Sequence, residues 1–217
     1  MTGFKSVSLA DQVFERLEDD VVAGVYPKGE ILTEMRLVEQ LGVSRTPIRE
    51  ALRRLEQERL LRETGKGMVV LGITADELYD IMSIRQRTEE LAVYYTIQNL
   101  TEEGVARLRQ IGELQDFYYQ KNDTENLRKM DDSFHEALYE LSGRTVIRDM
   151  LQPLHKKTQR YRKKSIEDKV RLAKSLGEHK EILNAVLEKD TKKAMELITL
   201  HIANAKESMI ARLQDEG

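Results

Sequence analysis

Gly42-Val43-Ser44-Arg45-Thr46-Pro47-Ile48-Arg49-Glu50-Ala51-Leu52-Arg53-Arg54-Leu55-Glu56 decides how the first third of the chain is read. Ser44 stands at an N-cap position, where a hydroxyl accepts a hydrogen bond from an orphan backbone N–H of the first turn. Pro47 falls in that first turn, where its missing N–H costs nothing. Ile48, Ala51, Leu52 and Leu55 share one helical face. Arg45, Arg49 and Arg53 follow one another a turn apart on another face, with Thr46 beside them. A row of guanidiniums beginning at a helix N-terminus suits a helix lying in the DNA major groove. There Arg reads guanine through paired hydrogen bonds and hydroxyls take phosphates. The same pattern also describes an amphipathic helix with a solvated charged face, and the flanking sequence discriminates between the two.

Upstream, Ser8 and Asp11 form a capping-box-like start, and Val13, Leu17 and Val21 keep helical spacing to about Ala23, where Gly24 ends the helix. Tyr26-Pro27-Lys28-Gly29 is turn chemistry. A second helix fits Thr33 to Leu41, and Gly42-Val43-Ser44 turns directly into the Arg-bearing helix, which runs to about Leu60. Two short helices joined through a Gly-containing turn, the second carrying base-reading side chains, make a helix-turn-helix. Downstream, Leu61–Thr64 and Met68–Leu71 flank Gly65-Lys66-Gly67 and predict a β-hairpin with Lys66 at its tip. Gly-Lys-Gly is equally an ordinary turn with a solvated Lys. It is no phosphate-cradling loop, because no Lys-Ser/Thr follows to open a helix.

Composition agrees with a mainly helical chain. The 217 residues are 34% charged and 6% aromatic, with three Pro and twelve Gly, so uninterrupted stretches are long. The absence of Cys excludes disulfides, thiolate metal sites and Cys nucleophiles. No run approaches the ~18 apolar residues of a membrane span, and the N-terminus carries no apolar signal core, so a cytoplasmic protein is expected. The formal net charge is −3, but charge is distributed unevenly. Residues 1–44 hold four basic and eight acidic side chains, whereas residues 45–66 hold seven basic and four acidic. The positive charge is focused on the Arg-bearing helix and hairpin, as phosphate neutralisation requires.

On these residues, positions 5–73 resemble the winged-helix DNA-binding domain of bacterial GntR-family transcriptional regulators. The resemblance rests on Leu41–Leu52, Leu55, Leu60-Leu61 and Gly65-Lys66-Gly67. It implies that Arg45, Thr46 and Arg49 contact bases and adjacent phosphates. Ser44, Arg53 and the wing residue Lys66 complete the DNA-binding set. Many relatives carry Arg directly after the acidic residue matched by Glu34. Here that position is Met35, with Arg36 one residue later, so operator flanks are expected to differ.

From Thr74 onward only helical spacing appears, and an antiparallel all-helical bundle of six or seven helices is expected over 74–217. Thr74 with Glu77 caps a helix to about Asn99. Thr101 starts the next, broken at Asn122-Asp123. Leu127 to Leu141 marks a third, ended by Ser142-Gly143. Val146 to Tyr161 marks a fourth. Ser175 with Glu178 is read as a capping box for a helix to about Leu187, and Asp190 caps the last.

The chemistry of this bundle lies in its histidines. Asp131 and His135 project from one helix face, and Met130, Phe134 and Leu138 turn that face inward. His179 opens a later helix and His201 lies on the apolar side of the last. Buried imidazoles and a carboxylate need partners. One divalent cation satisfies all four, and so does an Asp–His pair with two ordinary histidines. His155 sits in the basic run 155–164, which is read as a solvated face with His155 as no ligand.

Positions 74–213 resemble the FCD ligand-binding domain of the FadR subfamily, through Asp131-Asp132-Ser133-Phe134-His135, Glu178-His179-Lys180-Glu181-Ile182-Leu183 and Leu200-His201-Ile202. The resemblance implies that Asp131, His135, His179 and His201 hold a divalent ion, commonly zinc or nickel, with a small carboxylate effector at its open positions. Arg85-Gln86-Arg87-Thr88-Glu89 resembles the family's Arg-x-x-x-Glu, so Arg85, with Arg87 as alternate, is expected to pair with the effector. Thr88 replaces the usual Leu, and Arg144 stands where many relatives have Asn. The implied protein is a homodimeric, operator-binding regulator, usually a repressor, with no membrane association. A metal-responsive regulator, or a metalloenzyme using the Asp/His/His/His site, is the alternative. Against the enzyme, no positioned general base stands beside the ligands.

Overall fold

The computed structural model describes residues 8–159, 161 and 168–214, and the chain divides into two compact units, Met1–Ile73 and Thr74–Gly217. In the first unit, α1 (Leu9–Val22), α2 (Glu34–Leu41) and α3 (Arg45–Gln57) pack on a three-stranded sheet. The expected hairpin is β2 (Leu61–Thr64) with β3 (Gly67–Val70). A third strand, β1 (Ile31–Leu32), was not expected and pairs antiparallel with β3, giving the order β1-β3-β2. At two residues, β1 is too short to show a period-two pattern, and only its pairing with Met68 and Val69 makes it a strand.

The core of this unit explains why the Arg-bearing helix stands where it does. Ile48, Ala51, Leu52 and Leu55 of α3 bury against Val13, Phe14 and Leu17 of α1, Leu37 of α2, and Leu61, Met68 and Val70 of the sheet. Gly42 takes a left-handed φ of 67° at the end of α2 and lets the chain turn into α3. Ser44 occupies the N-cap with extended dihedrals, as read from the sequence, but its hydroxyl makes no capping hydrogen bond. The hydroxyl thus stays outside any capping bond at the N-terminus of α3. Helix α3 ends at Gln57, one turn earlier than its apolar spacing suggested. Arg59 then adopts a positive φ, and the Leu60 amide donates back to Leu55.

The second unit is a bundle of six helices among the described residues: α4 (Ala75–Asn99), α5 (Glu102–Gln120), α6 (Thr124–Leu141), α7 (Thr145–Lys157), α8 (Lys169–Leu187) and α9 (Thr191–Gln214). The long α4 packs along α9 and also meets α6 and α7, while α8 lies against α5 and α9. The Thr74/Glu77 capping box forms as read. The Ser175/Glu178 box does not. Helix α8 begins six residues before Ser175 at Lys169, capped by Asp168, whose carboxylate accepts from the amides of Val170 and Arg171. Asp and Ser cap about equally well, and the helical run extends back through Ser175 to Lys169, which leaves the cap to Asp168. Ser175 and Glu178 thereby become mid-helix residues free to serve other purposes.

Candidate metal centre and recognition helix

Three histidines from three helices converge. His135 on α6, His179 on α8 and His201 on α9 are each nearly fully buried. The Nε2 atom of His201 lies 3.2 Å from Nε2 of His179 and 3.3 Å from Nε2 of His135. Asp131, one turn before His135, places Oδ1 3.7 Å from His179 Nε2. The four residues chosen from the sequence are therefore brought to one point, with the carboxylate slightly farther out than the imidazoles. Helical geometry accounts for the Asp131–His135 pair, whereas the other two arrive through packing of α8 and α9.

The outer nitrogens show how the rings are held. His135 Nδ1 lies 2.9 Å from Glu89 Oε2, and His201 Nδ1 lies 2.7 Å from Glu178 Oε2. Both carboxylates are ionised. Burial alone raises Glu89, but the adjacent Arg85 charge, with His135, holds it well below its usual range. Burial likewise opposes ionisation of Glu178, and the His201 hydrogen bond together with Arg171 brings it down. An ionised carboxylate at Nδ1 selects the Nδ1–H tautomer and turns the Nε2 lone pair toward the centre. Two such lone pairs 3.3 Å apart repel unless a cation or proton lies between them. Burial, reinforced by the neighbouring imidazoles, pushes His179 well below the ordinary imidazole value. His201 is lowered too, again chiefly by burial. Three converging imidazoles beside a carboxylate are a donor set that fits a divalent cation.

His179 is held differently. Its Nδ1 faces Gln115 Nε2 at 3.0 Å, and the same amide nitrogen is 3.2 Å from the Met130 carbonyl. With the amide turned this way, Gln115 donates to Nδ1 and the ring proton sits on Nε2. Ligation through Nε2 requires the amide to turn so that its carbonyl accepts from Nδ1–H. Spacing alone marked none of Glu89, Gln115 and Glu178 as supports. Glu178 adjoins His179 in the chain yet serves His201, and nothing in the sequence singles out Gln115.

His155 is a correction. It was read as part of a solvated basic face, but it is buried, and its Nε2 lies 3.1 Å from Asp132 Oδ1. Its ring centroid is 5.1 Å from that of His135. Helix α7 turns this residue inward although lysines follow it. Part of the basic run, at 160 and 162–164, lies outside the described residues.

A small, half-open cleft of about 30 Å³ lies beside the centre, lined by Asp131, His135 and His201, by Arg85, Arg171 and Ser175, and by an apolar wall. Arg85 is 1% exposed and fully engaged. Its Nε and Nη2 pair with Glu89 Oε1, Nη1 donates to Thr158 and Nη2 to the Tyr139 hydroxyl. Arg87 faces solvent beside Glu90 and does not line the cleft. Arg144 lies over the Tyr95 ring at 4.1 Å and is likewise absent from the lining.

In the first unit, Ser44, Arg45, Thr46, Arg49 and Arg53 of the α3 region and Lys66 at the hairpin tip are all exposed. Arg49 forms a two-pronged pair with Glu34 of α2, at 2.8 and 3.0 Å, which holds the Glu34 carboxyl below its usual range. Met35 is 60% exposed, and Arg36 instead pairs with Glu30. An exposed arginine row on a helix anchored by its apolar face, with a hairpin beside it, defines a winged-helix DNA-binding protein.

The sequence comparisons give the particular family. Residues 9–70 match "Bacterial regulatory proteins, gntR family", and residues 80–204 match the FCD domain. The chain belongs to the gntR family of bacterial transcriptional regulators, in the group that carries an FCD domain. It is 32% identical over 151 residues to the HTH-type transcriptional regulator McbR of Escherichia coli, covering 69% of this chain and 68% of that one. It is 28% identical over 192 residues to the uncharacterised regulator YdhC of Bacillus subtilis, covering 88% and 86% respectively. It is also 31% identical to the gluconate operon transcriptional repressor of Bacillus licheniformis, over 54% of this chain and 49% of that one. The solved structure of E. coli McbR/YncC superposes with a TM-score of 0.79 at 27% identity, covering 97% of this chain and 99% of that one. The family consists of DNA-binding regulators rather than enzymes. Among the described residues, no helix is long and apolar enough to cross a membrane.

Proposed function

We propose that this chain is a homodimeric transcriptional repressor working in the cytoplasm. In this reading its 1–73 unit binds operator DNA, and its 74–217 unit dimerises and senses a small carboxylate at a divalent metal ion. The observation that carries the sensing half is the convergence of the three Nε2 atoms, with Asp131 at their edge and a cleft alongside. Asp131, His135, His179 and His201 would hold the ion, with zinc or nickel best matched to imidazole and carboxylate donors. When bound, the ion supplies a positive, Lewis-acidic centre for carboxylate oxygens. Glu89, Glu178 and Gln115 orient the rings, and the cleft gives an organic ligand access. That access favours a metabolite signal over the ion as signal. The repressor assignment follows the gluconate operon relative, and the dimer follows from the two-fold symmetry of operator half-sites.

On DNA, Arg45, Thr46 and Arg49 read bases and nearby phosphates. Ser44, with its hydroxyl not used in capping, and Arg53 take the backbone, and Lys66 reaches in from the wing. Arg49 leaves Glu34, or carries it along, on meeting guanine. A ligand changes operator affinity only by binding two states of the protein unequally. Metal analysis of the His135→Ala/His179→Ala double variant tests the centre: zinc content falls from stoichiometric to near zero, and unchanged content overturns the ligand assignment. Footprinting of Arg45→Ala/Arg49→Ala tests the reading head, and a persisting protected operator overturns it.

A further inference from the structure

Arg171 helps hold Glu178 ionised, and its environment is also that of a ligand-binding group. It lies in the first turn of α8 and its side chain is 11% exposed. Nη1 is 3.2 Å from Glu178 Oε2. Among the described residues, the buried Nε of Arg171 has no hydrogen-bond partner. The residue lines the same cleft as Asp131, His135 and His201. A charged donor buried without an acceptor is costly, and an acceptor arriving with a ligand removes that cost. Glu178 meets Arg171 only through Nη1, and its two oxygens also accept from His201 and Asn204, so it leaves the Arg171 Nε donor unmet. Arg85, the other cation of the cleft, has Nε, Nη1 and Nη2 all engaged within the protein.

We infer that Arg171, rather than Arg85 or Arg87, receives the carboxylate of the effector, and that the rest of the ligand lies on Leu172, Ile202, Ala205 and Met209. These four residues form the apolar wall of the cleft. With Arg85 committed, Arg171 and the metal ion are the partners the cleft offers carboxylate oxygens, and they share one carboxylate; beyond the hydroxyl of Ser175 the remaining wall offers no further charge. The ligand class is therefore a monocarboxylate with a short apolar body. This rests on the preceding reading of a carboxylate site beside the metal. Arg171 is a planar, always-charged donor fork, a geometry that lysine does not reproduce.

The test is calorimetric titration of the zinc-loaded full-length protein with acetate and with butyrate, for wild type, Arg171→Met and Arg171→Lys, with zinc content measured in each. Wild type binds butyrate roughly tenfold more tightly than acetate, the value for two further buried methylenes. Arg171→Met keeps its zinc and loses at least tenfold in butyrate affinity. Arg171→Lys preserves a charge beside Glu178 and falls between the two. Butyrate affinity within twofold of wild type in zinc-retaining Arg171→Met overturns the inference. If that variant loses its zinc, the same criterion applied to Arg171→Lys decides. Succinate binding more tightly than butyrate overturns the ligand class alone. Absence of binding by acetate, butyrate and succinate to wild type overturns the carboxylate-sensing reading, and this inference with it.

Discussion

Glu89 governs two neighbours at once. Its Oε1 takes Arg85 and the Tyr139 hydroxyl, and its Oε2 takes His135 Nδ1, all inside the bundle. Burial, with Glu89 alongside, pushes the Tyr139 phenol well above its ordinary value, so Tyr139 stays a neutral donor. Glu89→Gln strands the Arg85 charge in the core. The expected loss is about 3–5 kcal/mol of unfolding free energy, the usual result of removing one partner of a buried ion pair. Urea denaturation measures it. Where the variant stays folded, zinc affinity falls roughly 10–100-fold through loss of the group orienting His135, read by chelator competition. His179 and His201 give the metal-free protein a pH dependence of definite sign. Their folded-state values lie below the ordinary 6.5. Above that value both states carry neutral rings and the full stability is present. As pH falls below 6.5 the unfolded chain binds protons first, so stability declines. Denaturation with a chelator present at pH 7.5 and 5.5 checks this, and equal stability at both contradicts it.

At the scale of elements, the wing depends on a close approach of two strands. Gly67 has φ of +132°, and a Cβ there would stand 2.7 Å from the Leu32 carbonyl oxygen of β1. Gly67→Ala is expected to destabilise the first unit by about 1–3 kcal/mol, the range for a strained backbone position. Gly65→Ala, where a Cβ meets nothing within 4 Å, is the matched control. The tip and the helix contribute differently to DNA binding. Lys66→Ala weakens binding evenly across sequences and lowers the salt slope by about one, as loss of a phosphate contact does. Arg45→Ala costs about 1–3 kcal/mol and relaxes preference at one base position. Mobility-shift titrations against salt and against operator variants separate the two outcomes.

For the whole molecule, the exposed apolar residues of the second unit bear on assembly. Ile84 and Leu91 of α4 and Val146 and Met150 of α7 are exposed, and Thr88 Oγ1 lies 4.0 Å from the Met150 sulfur, so the two helices present their apolar side chains near one another. Exposed apolar patches of this kind mark interfaces. Under the proposed homodimer, Ile84→Glu/Leu91→Glu sediments as a monomer, and its operator affinity drops because half-sites are no longer bound jointly. Sedimentation velocity of wild type and variant is the measurement, and an unchanged dimer shifts the interface elsewhere.

The sequence by itself determined the features that depend on local chemistry. Helix spacing, the Gly42 stop, the Thr74/Glu77 box and the Gly65-Lys66 tip are written within a few residues of where they act. The Asp131–His135 pair was legible because one helical turn suffices to align it. Local patterns misled where an equally good cap lay upstream, as when Asp168 rather than Ser175 started α8, and where no pattern exists, as with the two-residue β1. The tertiary structure alone decided which side chains meet across helices. It turned His155 inward despite its basic neighbours and placed Glu89, Gln115 and Glu178 behind three imidazoles. It also closed Arg85 into the core while leaving a donor of Arg171 unmet beside the cleft. Those contacts join residues dozens of positions apart. Packing sets such distances, and no periodicity in the chain encodes them.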